Sequence, residues 1–426
     1  MGLVIPLKKE IDNSYNELKN LVGNRLDNVN QQIKYSLASE INLIHKMTSY
    51  HLKSGGKRIR PLLTLASAKL CGYREGSRDV NLAACVELIH NATLLHDDVI
   101  DNSEIRRGIK TSNTIWGNQS SILVGDYLFS RCFEMMVADG SIEILKLLSS
   151  TSSRIAQGEV LQLEYKGEID ILEETYFDII NSKTAALFAA ATKVGACITG
   201  RSKKEKDALE SYGRNLGLAF QIADDALDYY STKTIFGKEI GKDFFEGKVT
   251  LPIIFLCQKT NKNEKLYLEK LFKKKSRTKL DFNEIQNLIK KYNSINSCFK
   301  RAEHFVNISY NALNIFTPSK EKTIFGKVIG KDFFEGKVTL PVIFLCQKVS
   351  LSEKLFLERI FKKKNRSKLE FEETQNLIKK YNTIDSCFKR AEHFINISYN
   401  ALNIFDPSKE KTILKNLTSF SLERSF

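Results

Sequence analysis

Two short acidic clusters, Asp97-Asp98-Val99-Ile100-Asp101 and Asp224-Asp225-Ala226-Leu227-Asp228, sit inside otherwise apolar, helix-like stretches. Both have the form DDxxD. Residues four apart share one face of a helix, so Asp97 projects with Asp101, and Asp224 with Asp228. Uncompensated carboxylates on the apolar side of a helix are costly to bury. The chain must therefore fold so that something cationic stands between them. Mg²⁺ suits that role, because it takes oxygen ligands, keeps several waters and needs only one or two carboxylates. One DDxxD alone is a weak signal, since acidic runs are more often solvated faces or N-caps. Two copies in apolar surroundings are a stronger one.

The rest of the chain reads as helix after helix. Six prolines in 426 residues, with abundant Leu, Ile, Ala and Lys, favour an all-α fold. Amphipathic helices are expected over 8–50, 82–104, 120–137, 143–165, 172–199 and 205–230, and strand alternation is nearly absent. Gly55-Gly56 ends one helical segment and Pro61 opens the next. No apolar run reaches 18 residues, so no membrane span is expected. The N-terminal sequence lacks a signal-peptide core and carries acids too early for a transit peptide. Eight cysteines without CxxC spacing point to reduced thiols in the cytoplasm and give no support for zinc.

The net charge of +15 invites a nucleic-acid reading, but its distribution argues against one. Residues 234–411 hold 35 Lys and Arg against 20 Asp and Glu, which is the whole excess. The runs Lys273-Lys274-Lys275 and Lys362-Lys363-Lys364 fall in amphipathic patterns and read most simply as solvated faces.

That basic region is a tandem duplication. Residues 234–322 and 323–411 are copies offset by 89, with four residues in five identical and the substitutions scattered and mild. Lys-Thr-Ile stands at all three joints, 233–235, 322–324 and 411–413, as recombination between short matching segments would leave it. Two copies of so long a unit are not a solenoid. The expected organisation is one helical domain over 1–322, completed by the first copy, then a surplus second copy over 323–411 and a tail over 412–426. The surplus copy would pack outside, unfold in part or swap into a partner.

Cations flank the acidic clusters. Gly55-Gly56-Lys57-Arg58-Ile59-Arg60-Pro61 puts positive charge on a turn at a helix start, where exposed N–H groups favour an anion. Arg106-Arg107-Gly108 follows the first cluster, and arginine forks grip phosphate oxygens. His90 lies two helical turns before Asp97. Alone it would be read as a core histidine, and the RRG as a surface turn; their place beside DDxxD changes both readings. Lys183-Thr184 opens a small-residue helix able to line a cavity. Gln221 shares a helix face with Asp224, and Lys238 and Lys248 lie in a Gly-rich loop, GKEIGKDFFEGK. Two acidic clusters facing one cavity, with these cations, would clamp a diphosphate.

In order and spacing, GGKRIRP, ELIHNATLLHDDVID, RRG, GNQSSILVGDYLF, GEVLQL, KTAALF, FQIADDALDY and GKDFFEGKVTLP resemble the trans-isoprenyl diphosphate synthases of the polyprenyl synthetase family. The resemblance implies a single all-α domain around a deep central cavity, normally a homodimer. It implies that Lys57, Arg60, His90 and Arg107 bind isopentenyl diphosphate. Asp97, Asp98, Asp101, Asp224 and Asp228 would hold Mg²⁺ and the allylic diphosphate, with Asp225 beside them in the second motif. Arg106, Lys183, Thr184, Gln221, Lys238 and Lys248 match allylic-side contacts. Leaving-group ionisation would give an allylic cation, which the Thr184 and Gln221 oxygens stabilise and isopentenyl diphosphate attacks. The departing diphosphate is the expected base.

In this family, the residues just upstream of the first DDxxD limit chain growth. Here they are Ala92 and Thr93, both small. Thr93 lies one turn, about 5.4 Å, from Asp97 on the same face. The growing tail would pass them and stop deeper, at Phe129 or Phe133. The expected product is long, octaprenyl in size, as in a quinone side chain, with farnesyl diphosphate as primer. Peripheral membrane contact would serve its release. Alternatives are a geranylgeranyl synthase, a non-catalytic subunit of a heteromeric synthase, or a terpene cyclase, which also uses DDxxD but would not need GGKRIRP and Arg107.

Overall fold

The computed structural model describes residues 15–53, 56–230, 240–274, 276–319 and 321–322, with positions 350, 352–353 and 380–381. After a helical stretch at 15–22, the helices are α1 Arg25–Ser36, α2 Asn42–Lys53, α3 Ile59–Leu70, α4 Arg78–Ile100, α5 Ser112–Trp116, α6 Asn118–Asp139, α7 Ile142–Glu164 and α8 Glu173–Ile180. They continue as α9 Ala186–Ile198, α10 Lys203–Tyr230, α11 Lys242–Glu246, α12 Leu251–Cys257, α13 Lys262–Phe272, α14 Lys279–Lys291 and α15 Ser294–Ala312. The all-α expectation holds. Among the described residues no helix is long and apolar enough to cross a membrane.

Three local features depart from the expected pattern. The stretch 172–199 is not one helix, because a π-helical turn, Asn181–Ala185, separates α8 from α9. Such turns widen the backbone spiral by one residue and cluster at functional sites. Helix α4 ends at Ile100, leaving Asp101 as its C-cap rather than on its face. A two-stranded hairpin, Ile105–Arg106 paired with Ile109–Lys110, follows where no strand was expected. Its turn residues, Arg107 and Gly108, both have positive φ, which two-residue hairpins require.

The core is organised around α9. Its sequence ALFAAATKVGACI leaves little side chain to separate it from its neighbours, and eleven of its thirteen residues are buried. It packs against α3, α4, α7 and α10. Contact is at backbone level. A Cβ on Gly195 would overlap Ala68 N and Ser67 Oγ of α3, and one on Gly213 would overlap Phe188 O and Thr192 Oγ1. Thr192 instead sends its hydroxyl to Leu209 O at 2.6 Å.

The first repeat copy joins the same core. Helix α15 lies along α10, and Ser309 donates to Tyr212 O at 2.8 Å. Phe282 of α14 packs on Tyr229 and Phe244, and Gln286 donates to Tyr229 O at 2.9 Å.

At its few described positions the second copy repeats a local motif of the first. In the first copy, Asn261 and Glu264 form a capping box, and Lys291 and Tyr292 both reach the Glu264 carboxylate. In the second, Ser350 caps with Glu353, and Lys380 and Tyr381 reach Glu353 at 2.7 and 2.6 Å.

The tight crossing of α9 on α3 gives a direct test. Gly195→Ala should destabilise the fold by about 1–3 kcal/mol through overpacking. A lower urea midpoint at unchanged slope would register it.

Candidate active site

The first acidic cluster sits at the C-terminal end of α4. Asp98 is 2% exposed and takes Arg106, whose Nε donates at 2.8 Å and whose Nη2 stands 2.7 Å from the same oxygen. Burial raises the Asp98 pKa, and Arg106 offsets only part of the rise. Asp101 meets Lys248 Nζ at 2.8 Å, and the same ammonium stands 2.7 Å from Glu246. Burial alone would raise the Asp101 pKa; the Lys248 charge and hydrogen bond outweigh it and lower it. Lys242 donates to Ser103 at 2.8 Å. The loop around α11 is thus fastened to the end of α4 by two lysines.

Asp97 has a different neighbour. Glu159 of α7 lies within hydrogen-bonding reach of it and is pushed up to about 7, by burial first, with Asp97 acting in the same direction and Lys183 opposing. Lys183, on the π-helical turn, binds Glu159 at 2.7 Å and Gln162 Oε1 at 2.9 Å.

The second cluster lies on α10, where each carboxylate has separate company. Asp225, 3% exposed, accepts from Tyr176 Oη and Gln221 Nε2, both at 2.7 Å. Thr184 in turn donates to Gln221 Oε1 at 2.8 Å. Asp228 accepts from the backbone N–H groups of Gly241, Lys242 and Asp243 at 3.1, 3.2 and 2.9 Å, capping α11 from outside it. It is raised to about 7 by burial and by the nearby Asp243 carboxylate. Asp224 is half-buried. Tyr176, Lys183, Thr184, Gln221, Asp225, Asp243 and Lys248 line one cavity.

The basic residues form a cluster of their own. Arg58 caps α3 in the left-handed region, φ 48°, and pairs with buried Glu87. Arg60 stacks 4.6 Å over the Phe188 ring. Burial pushes it down to about 10, Glu87 opposing and Arg107 adding. The Arg107 guanidinium comes so close to Gly56 that a Cβ there would meet it at 2.9 Å, which ties the GGKR turn to the hairpin. His90 and His51 are held neutral, by burial first and then by the arginines around them; His51 falls to about 4. Lys57 is exposed, with its ammonium 5.9 Å from the Tyr15 ring.

The fold therefore gathers Arg60, His90, Arg106 and Arg107 on one side and Asp97, Asp101, Lys183, Thr184, Gln221 and Lys248 on the other. Arg106 crosses between them, bound to Asp98. Lys238, and Lys337, which is the second copy's counterpart of Lys248, lie outside the described residues. Of the chain-length residues, Ala92 is fully buried, and Thr93 is half-buried with its hydroxyl on His90 O at 2.8 Å. Phe129 is half-buried beside His96, and Phe133 is 40% exposed. Sequence reasoning did not single out His51, Arg58, Glu87, Glu159, Gln162, Tyr176, Asp243 or Glu246. Glu159 and Gln162 stand in GEVLQL, and Asp243 and Glu246 in GKDFFEGK, so their motifs were visible while their roles were not.

Among the described residues no three His, Cys, Asp or Glu side chains are already gathered as a metal site. The donor set nevertheless suits a hydrated divalent cation. Asp97 and Glu159 crowd together, as do Asp228 and Asp243, and in each case the pKa of one carboxyl is raised toward neutrality. A cation holding several waters and one or two carboxylates would relieve that crowding.

Comparison with known proteins identifies the family. The model of the polyprenyl synthetase family matches residues 41–289. The chain is 44% identical over 238 residues to octaprenyl diphosphate synthase of Escherichia coli K12, covering 56% of this chain and 73% of that one. It is 34% identical over 312 residues to geranylgeranyl diphosphate synthase of Sulfolobus acidocaldarius, covering 71% and 91%. It superposes with a TM-score of 0.72 on a Caulobacter crescentus polyprenyl synthase crystallised with calcium and isoprenyl diphosphate, at 38% identity over 75% of this chain and 96% of that one.

Glu159 offers a pH test. Its folded-state pKa, about 7, lies above the unfolded value of about 4.3. The folded form then holds the extra proton, and the stability it contributes is present below about 4.3 and lost as pH rises through about 7. Glu159→Gln should flatten that loss in thermal unfolding with chelator; an unchanged slope would remove Glu159 from the account.

The family model and these relatives place the chain in the polyprenyl synthetase family, as a trans-polyprenyl diphosphate synthase.

Proposed function

We propose that this enzyme condenses farnesyl diphosphate with successive isopentenyl diphosphates to a long all-trans polyprenyl diphosphate, octaprenyl in size, for quinone side chains. The feature that supports the reading is the presence of two charged sets: Arg60, His90 and Arg107 close enough to perturb one another, and the two carboxylate clusters with Lys183 and Lys248 among them. Two diphosphates need two such sets, which a cyclase acting on one substrate does not.

Asp97, Asp98, Asp101, Asp224 and Asp228, with Glu159 beside Asp97, are the residues to hold Mg²⁺. When bound, Mg²⁺ neutralises the allylic diphosphate and makes it a better leaving group. Arg60, Arg107 and His90 grip the isopentenyl diphosphate. Lys183 and Lys248 now hold Glu159 and Asp101, and can exchange those carboxylates for phosphate oxygens. The Thr184 and Gln221 oxygens face the developing allylic cation, and exclusion of water protects it. The departing diphosphate takes the proton lost after coupling.

Thr93, half-buried on the Asp97 face, is the residue past which the tail grows, with Phe129 and Phe133 further along. The protein is read as a cytoplasmic homodimer that touches the membrane only to release product. Residues 1–322 form the working domain, and the second copy is surplus.

Incubation with farnesyl diphosphate, isopentenyl diphosphate and Mg²⁺, followed by product sizing, should give chains of octaprenyl length; geranylgeranyl diphosphate alone would make this a short-chain synthase, and no elongation would sink the reading. Asp97→Asn should lower kcat by about 100-fold or more. Lys248→Ala should lose activity while Lys337→Ala keeps it, the reverse outcome making the second copy the working one. Thr93→Phe should shorten the product, and unchanged length would take Thr93 out of the tail's path.

A further inference from the structure

Tyr176 has no part in the scheme above, yet it ends a hydrogen-bond chain that reaches the reacting centre. Its hydroxyl donates to Asp225 Oδ2 at 2.7 Å. Gln221 Nε2 donates to Asp225 Oδ1 at 2.7 Å. Thr184 Oγ1 donates to Gln221 Oε1 at 2.8 Å. Tyr176, Asp225 and Thr184 are all buried, and with Gln221 they line the same cavity.

The chain has a direction. Both Asp225 oxygens are taken by donors, Tyr176 Oη–H and Gln221 Nε2–H, so Gln221 turns its NH₂ inward. The Gln221 carbonyl is then left for Thr184. The single hydroxyl hydrogen of Thr184 is committed to that carbonyl, so only oxygen lone pairs remain for the cavity. An oxygen presented this way stabilises developing positive charge, whereas a hydrogen pointing outward would oppose it. With both Asp225 oxygens occupied by donors, the carboxylate can neither rotate nor release the amide. The π-helical turn at Asn181–Ala185 sets Thr184 at the end of this chain.

We propose that Tyr176 is a positioning residue that, through Asp225 and Gln221, holds the Thr184 hydroxyl with its lone pairs toward the allylic cation. The inference rests on the prenyltransferase reading of the site. Removing the tyrosine hydroxyl takes one donor from Asp225, so the carboxyl group can rotate and Gln221 and Thr184 lose their fixed positions. The space filled by the ring is unchanged.

The test is a double-mutant cycle on the full-length protein with farnesyl and isopentenyl diphosphates and Mg²⁺. Tyr176→Phe should lower kcat about tenfold, the worth of one oriented hydrogen bond, with KM for both diphosphates within about twofold of wild type. Thr184→Val should cost more, and the double variant should be no slower than Thr184→Val alone, because both changes act on one oxygen. A purely structural tyrosine would give additive losses, and that outcome overturns the proposal, as does unchanged kcat in Tyr176→Phe. Replacement of Tyr176 by 4-aminophenylalanine, which restores an N–H donor at the same place, should recover kcat to within about threefold of wild type; failure to recover it also counts against the proposal, and this arm stands if Tyr176→Phe does not fold. An inactive wild type would remove the prenyltransferase reading and this inference together, whereas an active wild type with a silent Tyr176→Phe would remove the inference alone.

Discussion

Helix α9 can be surrounded only by neighbours that come to within backbone contact of it, and the site depends on that closeness. Its alanines and glycine let α3, α4, α7 and α10 converge on one short segment. Those four helices carry the GGKR turn, the first acidic cluster, Glu159 and the second acidic cluster. Larger side chains on α9 would push them apart, and side chains as short as aspartate could not then face a common cavity.

Convergence brings an electrostatic problem, because it crowds like charges in partly buried surroundings. The fold resolves it by exchange across the cavity. Arg106 leaves the arginine cluster to pair with Asp98, and Lys248 reaches from the loop after α11 to Asp101. Burial still pushes carboxyls toward protonation, Glu159 in spite of Lys183 and Asp228 beside Asp243. Buried pairs of this kind add little net stability, since desolvation offsets attraction. Their use here is positional: each holds a charged group where a phosphate or a cation can displace its partner.

The duplication bears on the same point. It begins just after the second acidic helix, so both clusters remain single while the loop carrying Lys248 is present twice. In the described structure the first copy supplies Lys248 to Asp101 and Phe282 and Ser309 to the core. The second copy reproduces at Glu353 the local bonds that the first makes at Glu264. These bonds join residues 27 and 28 apart within one copy, so each copy can make them by itself.

Helical periodicity alone was enough to read the all-α fold and the bounds of the long helices α6, α7 and α10 to within two residues, because apolar spacing is a local property. The acidic clusters and the basic motifs were legible for the same reason: carboxylates in apolar runs and arginines beside glycine are unusual however the chain folds. Pairing was not legible. Asp97 and Asp101 looked like equivalent ligands one turn apart, yet one faces Glu159 and the other caps the helix and binds Lys248. Asp228 looked like a partner of Asp224, yet three backbone N–H groups hold its carboxylate. The hairpin at Arg106 and the π-helical turn at Lys183 are too short to leave a periodic trace. By itself the sequence determined which charged groups the protein carries and on which helices. Only tertiary structure decided which group answers which, because a buried charge is compensated by neighbours in space that lie up to 147 residues away along the chain.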